Sequence, residues 1–278
     1  MEIVLKKLFA GFDGFSVEFS LKVNSGSFTS VVGPSGSGKT TLLKMICGLT
    51  KVERGRIFFG KKEVTEIPPE KRNIGFVFQG DSLFSHLSVF DNVAFGLKMK
   101  KERKEVIEKK VLQALKLVHL EGFQKREVNN LSGGEKRRTA IARAIAFNPD
   151  LLLLDEPLNG LDANLKEKMK VFLKELSEKT NLTIIMVSHD IDEAFYLSDK
   201  IVVMNNGRKE QEDSPEKIFL QPKNDFVKNF VSDYILVEGK ERIVNGRKMI
   251  EGKFLLPAKK GKGKAFINFK KTNYKFVE

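Results

Sequence analysis

Gly33-Pro34-Ser35-Gly36-Ser37-Gly38-Lys39-Thr40 fits the pattern G-x-x-x-x-G-K-[ST] at every fixed position. Its glycines let backbone N–H groups turn inward as a cradle for phosphate oxygens. A helix opening behind the loop adds partial positive charge. Lys39 can reach terminal phosphates, and the Thr40 hydroxyl suits Mg²⁺. A second run, Leu151-Leu152-Leu153-Leu154-Asp155-Glu156-Pro157, ends four apolar residues in two carboxylates. Asp155 then emerges at the carboxyl end of a buried strand, where it can orient a Mg²⁺ shell. Glu156, one residue on, can polarise an attacking water as a general base. The alternative, two ordinary surface acids, fits poorly behind four leucines.

A third cluster, Leu131-Ser132-Gly133-Gly134-Glu135, precedes a helical run over Lys136–Ala146. It has two readings. Ser132 with Glu135 three residues later is a capping box. Two glycines in a first turn weaken a helix, however, and make sense if an anion approaches the backbone there. His86 and His119 match no pattern, and Cys47 reads as a core residue.

These residues need elements to hold them. Ile3-Val4-Leu5 reads as a short strand, and Phe15–Val23 alternates apolar and polar residues over nine positions, as an antiparallel strand with one wet face does. Ser27–Val32 reads as a strand feeding the Gly-rich turn, with a helix from Lys39 that stops at Gly48. Residues 53–78 return to short strands, with turns at Arg54-Gly55 and Phe59-Gly60, and Pro68-Pro69 breaking any helix. From about Leu83 to Ala146 the pattern is helical; Ile107, Val111, Leu115 and Val118 mark one face. Leu151–Leu154, Thr183–Val187 and Ile201–Met204 read as buried strands, with a helix face at Leu165, Met169, Phe172, Leu173 and Leu176. The alternation predicts an α/β doubly wound sheet with an antiparallel β subdomain and an inserted helical subdomain over about 83–146. Residues 205–235 read as a polar connection with a short helix, and 236–278 as a small β region.

The 278 residues carry 49 Lys/Arg and 36 Asp/Glu, a net charge of +13. Residues 241–278 hold 11 Lys/Arg and 3 Glu, a net of +8, which leaves +5 for the first 240 residues. A nucleic-acid partner, suggested by the total, is therefore not expected of the main body. No apolar stretch approaches a membrane span, the N-terminus lacks a secretory pattern, and one cysteine excludes an intrachain disulfide. A cytoplasmic protein is expected.

Over residues 1–235 the order of these motifs resembles the ATP-binding cassette (ABC) transporter ATPases. Gly33–Thr40 looks like the family's Walker A loop, Leu151–Glu156 like Walker B, and Leu131–Glu135 like the LSGGx signature. Gln79 in Gly75-Phe76-Val77-Phe78-Gln79 resembles the Q-loop glutamine, Leu161-Asp162 the D-loop, and His189 in Val187-Ser188-His189-Asp190 the switch histidine. The resemblance implies a P-loop NTPase cassette over 1–235 that binds ATP and Mg²⁺. Nucleotide contacts would come from Gly33, Pro34, Ser35, Gly36, Ser37, Gly38, Lys39, Thr40, Thr41, Gln79 and Asp155, with Thr40, Gln79 and Asp155 about the metal. Glu156, His189, Gln79 and Lys39 would be catalytic.

The resemblance further implies a head-to-tail homodimer, in which Ser132, Gly133, Gly134 and Asp162 act across the interface. The cassette would lie on the cytoplasmic face of the membrane, driving a separate permease supplied by an extracytoplasmic binding protein. Phe15, or alternatively Phe12, stands where the family places an aromatic against adenine. Residues 67–97 look like importers for sugars, polyamines, iron and oxyanions, and the opening Phe9–Phe15 resembles the molybdate/tungstate branch. Residues 236–278 resemble a reduced version of the C-terminal regulatory domain of such importers, with a plain dimerisation or capping role as the alternative reading. A DNA-repair ATPase would need long heptad coiled coils, and a small-molecule kinase would have no use for the signature.

Overall fold

In the computed structural model, residues 1–80 and 82–232 are described in full, and beyond them the backbone of five further strands. The chain order begins β1 (Ile3–Phe12), β2 (Phe15–Val23), β3 (Phe28–Val32), α1 (Lys39–Cys47), β4 (Arg54–Phe59), β5 (Lys62–Glu63) and β6 (Ile74–Val77). It continues α2 (Val89–Met99), α3 (Lys104–Leu117), α4 (Gly133–Ile145), β7 (Leu151–Asp155), α5 (Ala163–Thr180), β8 (Thr183–Ser188), α6 (Ile191–Leu197) and β9 (Lys200–Asn205). Then come β10 (Arg208–Asp213), α7 (Pro215–Leu220), α8 (Asp225–Phe230), β11 (Tyr234–Glu238), β12 (Lys240–Val244), β13 (Arg247–Glu251), β14 (Leu255–Pro257) and β15 (Lys264–Asn268).

A ten-stranded sheet in the order β5-β4-β1-β2-β10-β9-β3-β8-β7-β6 runs through the main body. Strands β9, β3, β8, β7 and β6 pair in parallel, whereas β5, β4, β1 and β2 pair antiparallel. Strands β3, β7 and β8 are covered on both faces, so none of them alternates; β7 and β8 are largely apolar runs, whereas β3 buries Thr29 and Ser30 among its apolar residues. One core cluster joins the sheet to α2, α3, α4 and α5; a second lies between the antiparallel strands and α1; a third packs α6, α7 and α8 on β3 and β9.

The α/β cassette with its antiparallel and helical parts matches the expected architecture, with local differences. β1 is ten residues long rather than three, because a bulge with Lys7 at φ 47° interrupts the alternation that would have revealed it. Arg54-Gly55 opens β4 instead of forming a turn; Gly55, at φ 95°, lies under the Lys6 and Lys7 carbonyls of that bulge, where a Cβ would collide. Pro69 starts a 3₁₀ turn over Pro69–Lys71, a use of proline at a helix's first position that the breaker reading overlooked.

The largest difference falls in 205–235, which is no simple connection. Asn206 and Gly207, both at positive φ, turn β9 into β10, and β10 pairs antiparallel with β9 and in parallel with β2. It is the strand that joins the two halves of the sheet. Farther on, β11 pairs with β15, and β12, β13 and β14 form a three-stranded sheet. The side chains behind the expected basic surface of 236–278 lie outside the described residues.

Candidate nucleotide site

Four adjacent parallel strands deliver the candidate residues at their carboxyl ends, where open α/β sheets bind ligands. β3 leads into Gly33–Thr40, β7 ends in Asp155 and Glu156, β8 is followed by His189, and β6 by Gln79.

The loop after β3 is shaped by its glycines. A Cβ on Gly33 would sit 2.0 Å from the Met204 carbonyl oxygen, so β9 packs directly on the loop's root. Gly38 caps α1 at φ 94°, and a Cβ there would meet Phe15 Cζ at 2.9 Å and Val17 Cγ2 at 3.0 Å. Gly38→Ala should cost about 1–3 kcal/mol from the left-handed backbone alone and impair nucleotide binding. Urea unfolding beside a nucleotide titration measures both. The contact also places the Phe15 ring against the loop, while Phe12 sits opposite it in the β1–β2 register and is more exposed. Pro34, Ser35 and Gly36 form the exposed crest, Ser37 is buried, and Thr41 is half-buried on α1.

Lys39 is buried, and its ammonium donates to the Gly33 carbonyl at 2.9 Å and the Pro34 carbonyl at 2.7 Å, with Ser37 Oγ at 3.4 Å. Burial pushes its pKa down, against the opposing pull of the Glu156 and Asp155 charges. The Thr40 hydroxyl donates to Asp155 Oδ1 at 2.9 Å. Burial raises the Asp155 pKa, the Thr40 hydrogen bond opposes this, and neighbouring Glu156 adds to the rise.

A hydroxyl and a carboxylate oxygen side by side are hard donors of the kind Mg²⁺ takes. Among the described residues no group of three or more His, Cys, Asp or Glu could hold a metal. The residues present fit a Mg²⁺-nucleotide, whose ion Thr40 and Asp155 would hold.

Glu156 follows the strand at φ 44°, an uncommon backbone for a non-glycine residue, and its N–H donates to the Val187 carbonyl at 3.1 Å. Three side chains converge on its Oε2: Asn159 Nδ2 at 2.9 Å, Gln79 Nε2 at 3.3 Å and His189 Nδ1 at 3.4 Å. Gln79 and His189 are both exposed at the site's mouth. Thus Lys39, Thr40, Asp155, Glu156, Gln79 and His189 are brought together. Asn159 joins them with no motif to announce it, because no spacing rule points to its bond with Glu156.

Ser132, Gly133 and Gly134 are placed elsewhere, at the start of α4. Ser132 Oγ accepts from the Glu135 N–H at 3.4 Å and Glu135 Oε2 accepts from the Ser132 N–H at 2.7 Å, which completes the capping box. The bonds to Ser132 hold the Glu135 carboxyl below its ordinary pKa. Gly133 is exposed, whereas a Cβ on buried Gly134 would strike Leu165 Cδ1 at 2.6 Å. Leu165 belongs to α5, whose N-cap is Asp162, accepting from the Leu165 N–H at 2.9 Å. The signature therefore packs on the helix that Asp162 starts and leaves Ser132 and Gly133 facing outward.

Comparison with known proteins decides the family: the ABC transporter family matches residues 17–159. The chain belongs to it. Cassettes of this family bind ATP with Mg²⁺ and hydrolyse it, and this one has their α/β P-loop fold. The dimeric structure of MJ0796, a bacterial ABC transporter cassette, is 33% identical with a TM-score of 0.67, covering 77% of this chain and 98% of that one. The structure of cbiO1 from Clostridium perfringens, part of the ABC transporter complex cbiONQ, is 31% identical with a TM-score of 0.71, covering 82% and 92%. Among curated relatives, the spermidine/putrescine import ATP-binding protein PotA of Clostridioides difficile (strain 630) is 46% identical over 221 residues. That match takes in 80% of this chain but 64% of the relative's length. PotA is named for spermidine and putrescine, so it matches the polyamine alternative, and the molybdate/tungstate expectation gains no support from it.

Proposed function

We propose that this chain is the ATP-hydrolysing subunit of an ABC importer, working as a head-to-tail homodimer on the cytoplasmic face of the membrane. The observation that carries the reading is the convergence of Gln79, Asn159 and His189 on Glu156, beside Lys39, Thr40 and Asp155. The loop after β3 and Lys39 bind the ATP phosphates, and Thr40 and Asp155 hold Mg²⁺, which neutralises phosphate charge when bound. Glu156 takes the proton of the attacking water, and His189 and Gln79 orient it toward the γ-phosphate. Phe15 packs on the adenine side. Ser132 and Gly133 of one subunit close over the nucleotide held by its partner, with Asp162 at the same interface.

Among the described residues no helix is long and apolar enough to cross a membrane. A separate permease supplies the passage in this reading. The segment after Gln79 carries Phe84, held by Asn92 through the Phe84 N–H at 2.9 Å and carbonyl at 3.0 Å. Its ring lies 4.5 Å from that of Phe95. This partly exposed aromatic pair, a few residues after Gln79 in the chain, suits a permease loop.

The names of the relatives favour a polyamine as cargo, delivered by an extracytoplasmic binding protein, over a sugar, iron or an oxyanion. Residues 236–278 are proposed as a small regulatory region. The test is the ATPase rate of the full chain reconstituted with a permease and binding protein from the same source. Spermidine should raise the rate, and molybdate or tungstate should leave it unchanged. Stimulation by molybdate or tungstate alone would move the assignment to oxyanions.

A further inference from the structure

His189 is exposed, and its chain neighbours hold its loop in place. Ser188, the residue before it, donates to Glu193 Oε2 at 2.5 Å and accepts from the Asp190 N–H at 2.9 Å. Glu193 stands in the first turn of α6, with its side chain 4% exposed. Lys166 reaches both acids from α5. Its ammonium is 2.7 Å from Asp190 Oδ2 and 2.7 Å from Glu193 Oε1. Its own N–H donates to the Asp162 carbonyl at 2.8 Å, one turn inside the helix that Asp162 caps.

This is an expensive arrangement. Glu193 is almost fully buried, whereas the Lys166 and Asp190 side chains keep 25% and 13% of their surface exposed; drawing such charges even partly out of water is costly unless pairing and hydrogen bonds are complete. Here they are well developed: Glu193 is bonded through both oxygens, and Asp190 Oδ1 also accepts from the Asp192 N–H at 2.9 Å. Burial would lower the Lys166 pKa, but the bonds to Asp190 and Glu193 outweigh it and raise the value, so the charged form persists. In some proteins such partly or fully buried ionic groups fix geometry while adding little stability, and that is the role considered for this cluster. The geometry being defined is the His189 loop, whose ring lies 3.4 Å from Glu156.

We propose that Lys166 is a positioning residue for ATP hydrolysis. By bridging Asp190 and Glu193 from α5, it sets the loop that aims His189 at the Glu156 side of the site. It also ties that loop to the helix beginning at Asp162, so displacement of one is felt by the other. The proposal rests on the roles given to His189 and Glu156 above.

The test uses the full chain and Mg-ATP. Lys166→Met keeps the stem and removes both ion pairs, whereas Lys166→Arg keeps the charge. Small misplacement of a reacting group costs up to about 10²-fold in rate. Lys166→Met should therefore lower kcat about tenfold with KM for ATP within about twofold, and Lys166→Arg should recover at least half of the wild-type rate. In a His189→Ala background, followed by long single-turnover time courses, Lys166→Met should add less than about a twofold loss.

A wild-type kcat for Lys166→Met beside an impaired His189→Ala would overturn the positioning role alone. So would a full multiplicative loss in the double variant. Wild-type turnover by His189→Ala would instead overturn the underlying site reading, and the positioning role with it. Where Lys166→Met does not stay soluble, Asp190→Asn removes one of the two pairs and is read against the same expectations.

Discussion

Replacing Glu156 by Gln should lower ATP turnover by about 10² or more, the range that general-base catalysis supplies, and leave ATP affinity close to wild type. The substitution keeps the side chain's shape and an oxygen that can accept from Asn159 Nδ2, now 2.9 Å away. It removes the basicity that Gln79, Asn159 and His189 surround. None of the phosphate-binding groups changes: Lys39 still donates to Gly33 and Pro34, and Thr40 to Asp155. With hydrolysis slowed and binding intact, the closed dimer should accumulate with ATP and elute early in gel filtration. A weakened nucleotide titration would show that Glu156 serves binding instead.

The second large effect concerns the outward-facing start of α4. Ser132 and Gly133 are exposed and bonded only locally, far from the Lys39 loop in the chain, while Gly133 has ordinary space around it in its own subunit. Gly133→Asp should therefore fold, yet in the proposed dimer it would place a carboxylate where the partner's nucleotide phosphates approach. As a homodimer it should lose nearly all hydrolysis, as should Lys39→Ala. A covalently linked heterodimer of the two should regain one intact composite site, because both lesions then fall in the other. Nucleotide-induced closure of the linked pair is the cleaner readout, since cooperation between sites can suppress turnover. If neither closure nor hydrolysis returns, the cross-subunit geometry is wrong.

Much of the nucleotide site is legible in the sequence because its residues sit at the ends of apolar strands with local signals. Gly33–Thr40 follows a buried strand and opens a helix, and four leucines point to Asp155 and Glu156. The capping box of Ser132 and Glu135 is equally local, and it is formed. What escaped is held by contacts remote in the chain or by charge. The strand Arg208–Asp213 reads RKEQED and offers no apolar alternation. Its place in the sheet comes from the tight turn at Asn206-Gly207 and from Glu212, which pairs with Lys200 and Lys209 at 2.6 Å each. The bulge at Lys7 hid the second half of β1 in the same way. Asn159 and Lys166 were silent because their meaning lies in partners, Glu156 in one case and Asp190 with Glu193 in the other. No periodicity or motif joins Lys166 to a loop some two dozen residues later.

The central claim is that Glu156, where these side chains converge, is the base for ATP hydrolysis. Its most direct test is single-turnover phosphate release from Mg-ATP, measured for the full chain and for Glu156→Gln at equal nucleotide occupancy. The account predicts release that is slowed by about 10² or more in the variant while bound ATP stays intact. Equal release rates from the two proteins would contradict it.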